Sequence, residues 1–332
     1  MKESADVAVA DDRSTEVDIP GFLVAAVGGA GKASALGMIA QHRAAGSPFA
    51  MYTVAVDTDP AGLEKFDRAI NLAMTRDAVS AIRSNPRAYG PACRALVRYH
   101  PHLLDAETLG RGARTHRLIT QAAFEIHEVA VINGFRSSIQ DLLKQQHAGR
   151  IQPVLVGSLG GGTGSAAAIL VPHLLATDRH RDRMLLGLPR DILARPAAFV
   201  IDPYAHVLQQ TNEISPDWIL GNIYATRTEM AEQEKAGKAC HHVFHVGLGN
   251  NAGAVFSTID MVCDANGLMA WEWMANYGLF QSRAVDSLKF YIDSCRYKAD
   301  NIPELRFPEL ERPPYAADLP DAESGAPSCV SR

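Results

Sequence analysis

The sequence of 332 residues has no apolar stretch long enough to cross a bilayer, so direct membrane insertion is not expected. It is also short of cysteine. Cys93, Cys240, Cys263, Cys295 and Cys329 are odd in number, widely spaced and free of any Cys-x-x-Cys pair. That pattern argues against a disulfide framework or a cysteine zinc site, and makes a reducing cytoplasm the natural compartment. Positive charge is not in excess. With 32 bases against 37 acids and a net charge of -5, the basic footprint of a nucleic-acid binder is missing. Met1 to Asp18, acidic and polar, lacks the pattern of a secretory signal or a transit peptide. The segment 1–20 also has few large apolar side chains, so disorder is expected there.

What is present is the composition of an ordinary globular protein, 47% hydrophobic and 21% charged. A chain of this length buries a sizeable core as one large domain or two smaller ones. The apolar run Phe22 to Val27 ends in Gly28-Gly29-Ala30-Gly31, and its continuity predicts a strand buried on both faces. A helix is expected over Ala33 to Ala45, then a second strand, Met51 to Val56, ending at Asp57-Thr58-Asp59-Pro60. Strand, glycine turn, helix, strand is a βαβ unit and implies a parallel sheet with right-handed crossovers. Ala61 to Gln146 reads as mostly helical, with a loop from His100 to Arg114. Further strands are expected at Val154 to Ser158, Ala197 to Ile201 and Val243 to Gly247. Helices are expected at Ala166 to Leu175, Asn222 to Lys238 and Ile259 to Tyr277. The fold class is therefore α/β, three-layered, with a mainly parallel sheet flanked by helices.

Two glycine-rich loops each join a buried strand to a helix. The second is Gly160-Gly161-Gly162-Thr163-Gly164-Ser165. Backbone N–H groups at a helix N-terminus lack partners inside the helix, and the helix dipole puts partial positive charge there. Glycine lets the backbone approach an anion and take φ > 0. Two such loops on one sheet can grip a polyphosphate from two sides, with Thr163 and Ser165 adding hydroxyls. A tight turn alone would account for one such loop more readily than for two.

The P-loop pattern fails here. Ala33 follows Gly31-Lys32 where Ser or Thr is required, and Ala26 stands at the first glycine. Gly-x-Gly-x-x-Gly does not fit Gly28-Gly29-Ala30-Gly31 either, although Asp57 and Asp59 are placed to hold a ribose. The hexapeptide Gly160 to Ser165, by contrast, resembles the phosphate-binding signature loop of the tubulin/FtsZ superfamily. The segments Ala26 to Gly31 and Val54 to Asp59 resemble that family's first two nucleotide loops. Gly110-Arg111-Gly112-Ala113-Arg114 falls where the third loop, which senses the γ-phosphate, is expected. Asp260 to Asn266 resembles the start of the family's central helix, with Asn266 where an Asn meets the guanine edge. The resemblance spans about Phe22 to Tyr277, in the family's order.

This resemblance implies GTP or GDP as ligand, with Mg2+, and a filament or a partner complex controlled by the nucleotide. It places Gly28, Gly29, Ala30, Gly31, Lys32, Asp57, Thr58, Asp59, Gly110, Gly112, Arg114, Gly160, Gly161, Gly162, Thr163, Gly164, Ser165 and Asn266 at the nucleotide. Asp264 is a further candidate for the base, and Arg111 for the γ-phosphate. A nucleotide-binding domain with its central helix is expected over 21–280, a short extension over 281–302, and a Pro-rich flexible tail over 303–332.

Departures from the family bear on mechanism. The catalytic Asn-x-Asp-x-x-Asp loop is not found; Asp286 and Asp293, the acids close after the helix, lack its spacing. About 55 residues follow Tyr277, too few for the family's second domain with its own core. Hydrolysis is therefore expected to be weak or dependent on a partner, and no catalytic residue is assigned. Lys32-Ala33-Ser34 replaces an Asn that helps read the base, which leaves adenine open. The ribose ligand is sought in Asp202-Pro203-Tyr204, or at Glu213 or Asn222. A non-polymerising switch acting with a partner is one alternative, and an NAD-dependent oxidoreductase on a Rossmann-like sheet is a second.

Other clusters read as structural. His241, His242 and His245 form His-His-x-x-His, but a strand there would turn His242 and His245 to opposite faces. Trp271, Trp273 and Met274 read as core. Glu229, Glu232, Glu234 and Lys235 read as a solvated helix face.

Overall fold

In the computed structural model, the residues described are 19–105, 112–145, 149–201, 242–247, 256–277 and, between 219 and 233, residues 219, 221–222, 225–226, 228–229 and 232–233. The described elements belong to one unit, Met1–Tyr297. The chain runs β1 (Gly21–Val27), α1 (Gly28–Ala44), β2 (Met51–Asp57), β3 (Arg68–Asn71), α2 (Arg76–Ser84) and α3 (Pro91–Tyr99). It continues through α4 (Arg117–Gln145), β4 (Ile151–Ser158), α5 (Gly162–Ala176), α6 (Asp178–Leu185), β5 (Ala197–Ile201), β6 (His242–Val246) and α7 (Ile259–Ala275). The described residues between 219 and 233 are also helical.

The strands form one sheet in the order β3-β2-β1-β4-β5-β6, and every neighbouring pair is parallel. β1 lies between β2 and β4, so the strand order reverses at β1/β4. Open parallel sheets bind their ligands outside the carboxyl ends of the strands at such a reversal. Both glycine loops leave from this point, one after β1 and one after β4.

All seven residues of β1 and all eight of β4 are buried, which the continuous apolar run of β1 anticipates. Leu23, Ala25 and Val27 share one cluster with Phe135 and Ile139 of α4 and Val171 of α5. On the other face Phe22 meets Trp273 of α7 edge-on at 6.3 Å, and Phe199 stacks on Phe244 at 4.4 Å. Full burial of an aromatic such as Phe22 or Phe199 contributes about 1.5–3 kcal/mol. Trp273 and Met274 are buried, as the core reading expects, whereas Trp271 is only partly so.

Helices α1 and α7 approach closely. A Cβ on Gly267 would collide with the Ser34 carbonyl oxygen, so this crossing requires a glycine. Thr258 caps α7, its hydroxyl accepting from the Met261 amide at 3.3 Å.

The helical expectation for Ala61 to Gln146 is corrected by β3. This four-residue edge strand buries only Ile70 and carries no period a sequence reading can detect. Its entry is held by Asp67, which accepts from the Thr53 amide and hydroxyl, both at 2.8 Å. The helices α1 and α5 start earlier than expected, at Gly28 and Gly162, because the glycines themselves form their first turns.

Candidate functional site

A cavity of about 580 Å3 opens at the carboxyl ends of β1, β2 and β4. One wall is Val27 to Ala30 at the start of α1, and the facing wall is Gly160, Gly161, Thr163 and Gly164 at the start of α5. The Asp57-Thr58-Asp59 turn and the 112–115 loop form the sides, and Ile219, Ile259, Asp260 and Cys263 line the remaining part.

The two helix starts converge. Gly28 has φ +70°, and a Cβ there would stand 3.1 Å from the Gly164 amide nitrogen. A side chain at Gly164 would collide with the Ser158 carbonyl oxygen. Neither helix has a side-chain cap bond on its N-terminal amides, and neither carries an acid in its first turn. Two helix dipoles thus meet at one cavity without a side-chain cap or a first-turn acid of their own, an arrangement that suits an anion.

Hydroxyls join the walls. Thr58 Oγ1 lies 2.8 Å from Thr163 Oγ1 and accepts from the Ala113 amide at 2.8 Å. Gly112, at φ +73°, lies close to Thr58, where a Cβ would meet the hydroxyl at 3.2 Å. Arg114 adopts φ +47° and lines the cavity.

Twelve of the expected residues share this cavity: Gly28, Gly29, Ala30, Asp57, Thr58, Asp59, Gly112, Arg114, Gly160, Gly161, Thr163 and Gly164. Gly31, Lys32, Gly162, Ser165 and Asn266 are placed otherwise. A Cβ on Gly31 would press on the Val156 carbonyl oxygen at 2.5 Å, so this glycine serves the packing of α1 on β4. Lys32 is buried; its ammonium lies 2.8 Å from Asp57 Oδ2 and donates to the carbonyls of Asp59 and Ala61. Gly162 packs against the 113–116 backbone. Ser165 turns its hydroxyl back to the Gly161 carbonyl at 2.6 Å.

Asn266 is wholly buried between α1 and β5, donating to Ser34 Oγ at 3.2 Å and to the Phe199 carbonyl at 3.3 Å. Asp264 is exposed and does not line the cavity. Gly110, Arg111, Asp202, Pro203, Tyr204, Glu213, Asp286 and Asp293 lie outside the described residues. Asn222 is buried with its amide given to two carbonyls, Thr115 at 2.7 Å and Gly160 at 3.0 Å. Glu229, whose side chain is 37% exposed, pairs with the buried Arg117 at 2.7 Å.

Sequence reasoning missed Ser158, Thr115, Ile219, Asp260 and Cys263 in the cavity wall. Asp260 and Cys263 were within reach of it, since they lie one turn apart at the start of the helix already singled out. Burial pushes the Cys263 thiol up to about 11, so it is uncharged at neutral pH. Burial also lowers His116, helped by the positive fields of His102, Arg114 and His100. His241 and Lys235 are outside the described residues, and among those described no group of three or more His, Cys, Asp or Glu is placed to hold a metal.

No protein-family model matches the sequence. No curated protein sequence matches it either. Among solved structures, CetZ2 from Haloferax volcanii, in a GTPγS-bound protofilament, is similar at 17% identity and a TM-score of 0.46, covering 81% of this chain and 61% of that one. CetZ1 from Haloferax volcanii, a GDP-bound monomer, is similar at 15% identity and a TM-score of 0.43, covering 82% and 64%. An empty FtsZ dimer from M. jannaschii is similar at 15% identity and a TM-score of 0.27, covering 64% and 55%. The chain thus spans less than two thirds of the length of these structures.

Proposed function

We propose that the chain is a GTP-binding protein of tubulin/FtsZ type, which holds the polyphosphate of GTP or GDP between the starts of α1 and α5. One observation carries this reading: two helix N-termini, without side-chain cap bonds or first-turn acids, converge on one cavity at the reversal of the strand order. Its volume of about 580 Å3 lies within the range of small-molecule sites. Gly28, Gly29, Ala30, Thr163 and Gly164 would face the phosphates, with Arg114 at the terminal one. Asp59 lines the same cavity, and its carboxylate would be available to Mg2+ bound to the phosphates. Guanine follows from the resemblance of Gly160 to Ser165, since Asn266 is turned into the core.

Nucleotide-dependent self-association through a head-to-tail contact belongs to this reading, with weak or partner-dependent hydrolysis because no catalytic acid is assigned. The domain that carries it is 21–280, in a cytoplasmic protein. An oxidoreductase on the same sheet is favoured by the strand order alone. It would use Asp57 for the ribose, whereas Asp57 Oδ2 is paired with Lys32 and Oδ1 accepts from the Thr58 and Asp59 amides.

A thermal-shift panel of GTP, GDP, ATP and NAD separates the readings. A ligand at a hundred times its Kd adds about 2.7 kcal/mol of stability, so GTP and GDP should each raise Tm by several degrees. A shift with NAD alone would overturn the proposal. Sedimentation with GTP and with a slowly hydrolysed analogue then tests assembly. GTP turnover rising steeply with protein concentration would overturn the weak-hydrolysis part.

A further inference from the structure

The helical segment between 219 and 233 holds a line of polar side chains at the spacing of one helix face, Asn222, Thr226, Glu229 and Gln233. Their bonds run to the 112–116 loop, to the glycine loop, to α4 and to α5. Asn222 Nδ2 donates to the carbonyls of Thr115 and Gly160, at 2.7 and 3.0 Å. Thr226 Oγ1 donates to the Asn222 carbonyl at 2.6 Å and approaches the Ser165 carbonyl at 3.5 Å. Glu229 pairs with Arg117 at 2.7 Å, and Gln233 reaches the Ile169 carbonyl at 3.4 Å.

Thr115 and Gly160 belong to two adjoining loops that line the cavity. The 112–116 loop bears Arg114, and Gly160 opens the glycine loop before α5. Asn222 therefore spends both amide protons on joining these two loops, in a place that is 5% exposed. If the 112–116 loop shifts, one buried proton loses its acceptor unless the helix follows. The cost of an orphaned buried donor makes following the cheaper course. Arg117, one residue beyond the loop's end and 8% exposed, ties the same helix to α4 through Glu229.

We propose that Asn222, backed by the Glu229–Arg117 pair, is a positioning element that couples the phosphate occupancy of the cavity to the helical residues described between 219 and 233. A third phosphate draws Arg114 inward, and the loop carries Thr115 and hence Asn222 with it. The helix also reaches the cavity directly, through Ile219. The inference rests on the reading of the cavity as a polyphosphate site.

Calorimetry with GTP, GDP and inorganic tripolyphosphate tests it on the wild-type chain and on Asn222→Ala, Arg114→Ala, the double variant and Glu229→Gln. Coupling of ordinary size predicts that Asn222→Ala lowers the GTP-to-GDP affinity ratio by about fivefold or more. The double variant should bind GTP no more weakly than Arg114→Ala, since Asn222 acts through that loop. Glu229→Gln, at a half-exposed position, keeps the shape of the side chain and should lower the ratio in the same direction. It serves if Asn222→Ala does not fold. A lower Tm with an unchanged ratio in both variants, or additive losses in the double variant, overturns the coupling while leaving the site. Wild-type protein that binds none of the three ligands overturns the site itself, and the coupling with it.

Discussion

The ammonium of Lys32 lies 2.8 Å from Asp57 Oδ2, with both side chains nearly removed from solvent. Its other two donors go to the carbonyls of Asp59 and Ala61. A lysine that follows a glycine loop invites a phosphate-binding role; here it instead fastens the first turn of α1 to the turn after β2. The pair sets the Asp57-Thr58-Asp59 turn, and that turn presents Thr58 to Thr163 and Ala113.

Lys32→Met should therefore lower stability by about 3–5 kcal/mol in denaturant unfolding, because Asp57 is left as an unpaired buried charge. Adding Asp57→Asn should recover part of the loss. A Lys32→Met protein of unchanged stability but weakened nucleotide binding would show that the side chain faces the ligand after all.

Asn266→Ala should cost about 1–3 kcal/mol, since it strips donors from the Phe199 carbonyl and from Ser34 in a fully buried place. The relative affinities for GTP and ATP should stay as they are. A change in base preference, measured by competition at equal stability, would put Asn266 at the base.

The fold should lose stability on mild acidification. Burial lowers the pKa of His116 and of His42 in the folded chain, so the folded state holds these rings neutral while the unfolded chain protonates them near 6.5. Their contribution is present above that pH and is lost as pH falls through it, because the unfolded state then binds more protons. The denaturant midpoint should drop between pH 7 and about 5.5, and His116→Gln should flatten the drop. An equal slope in the variant would remove His116 from the account.

The chain's linear order carried a good part of this molecule. The apolar run of β1 and the apolar Val154 to Val156 stretch of β4, each leading to glycines, are sufficient for buried parallel strands and for helix starts that grip an anion, since period and glycine placement are local properties. Seven of the twelve residues that share the cavity belong to these two loops, and the family resemblance supplied Asp57, Thr58, Asp59, Gly112 and Arg114. The edge strand β3 stayed hidden because a four-residue segment with one buried side chain has no measurable period.

Tertiary structure alone decided which members of each motif face the ligand. Gly31 and Gly162 look like loop glycines but are required where α1 presses on the β4 backbone and α5 on the 113–116 loop. Lys32 and Asn266 have the chemistry of phosphate and base contacts, yet Asp57, Ser34 and Phe199, from other parts of the chain, take up the Lys32 ammonium and the Asn266 amide nitrogen. Asn222 is joined to two cavity-lining loops 107 and 62 positions away. The physical reason is common to all three. Buried donors must be satisfied, and partners so far apart in sequence are chosen by how the layers pack.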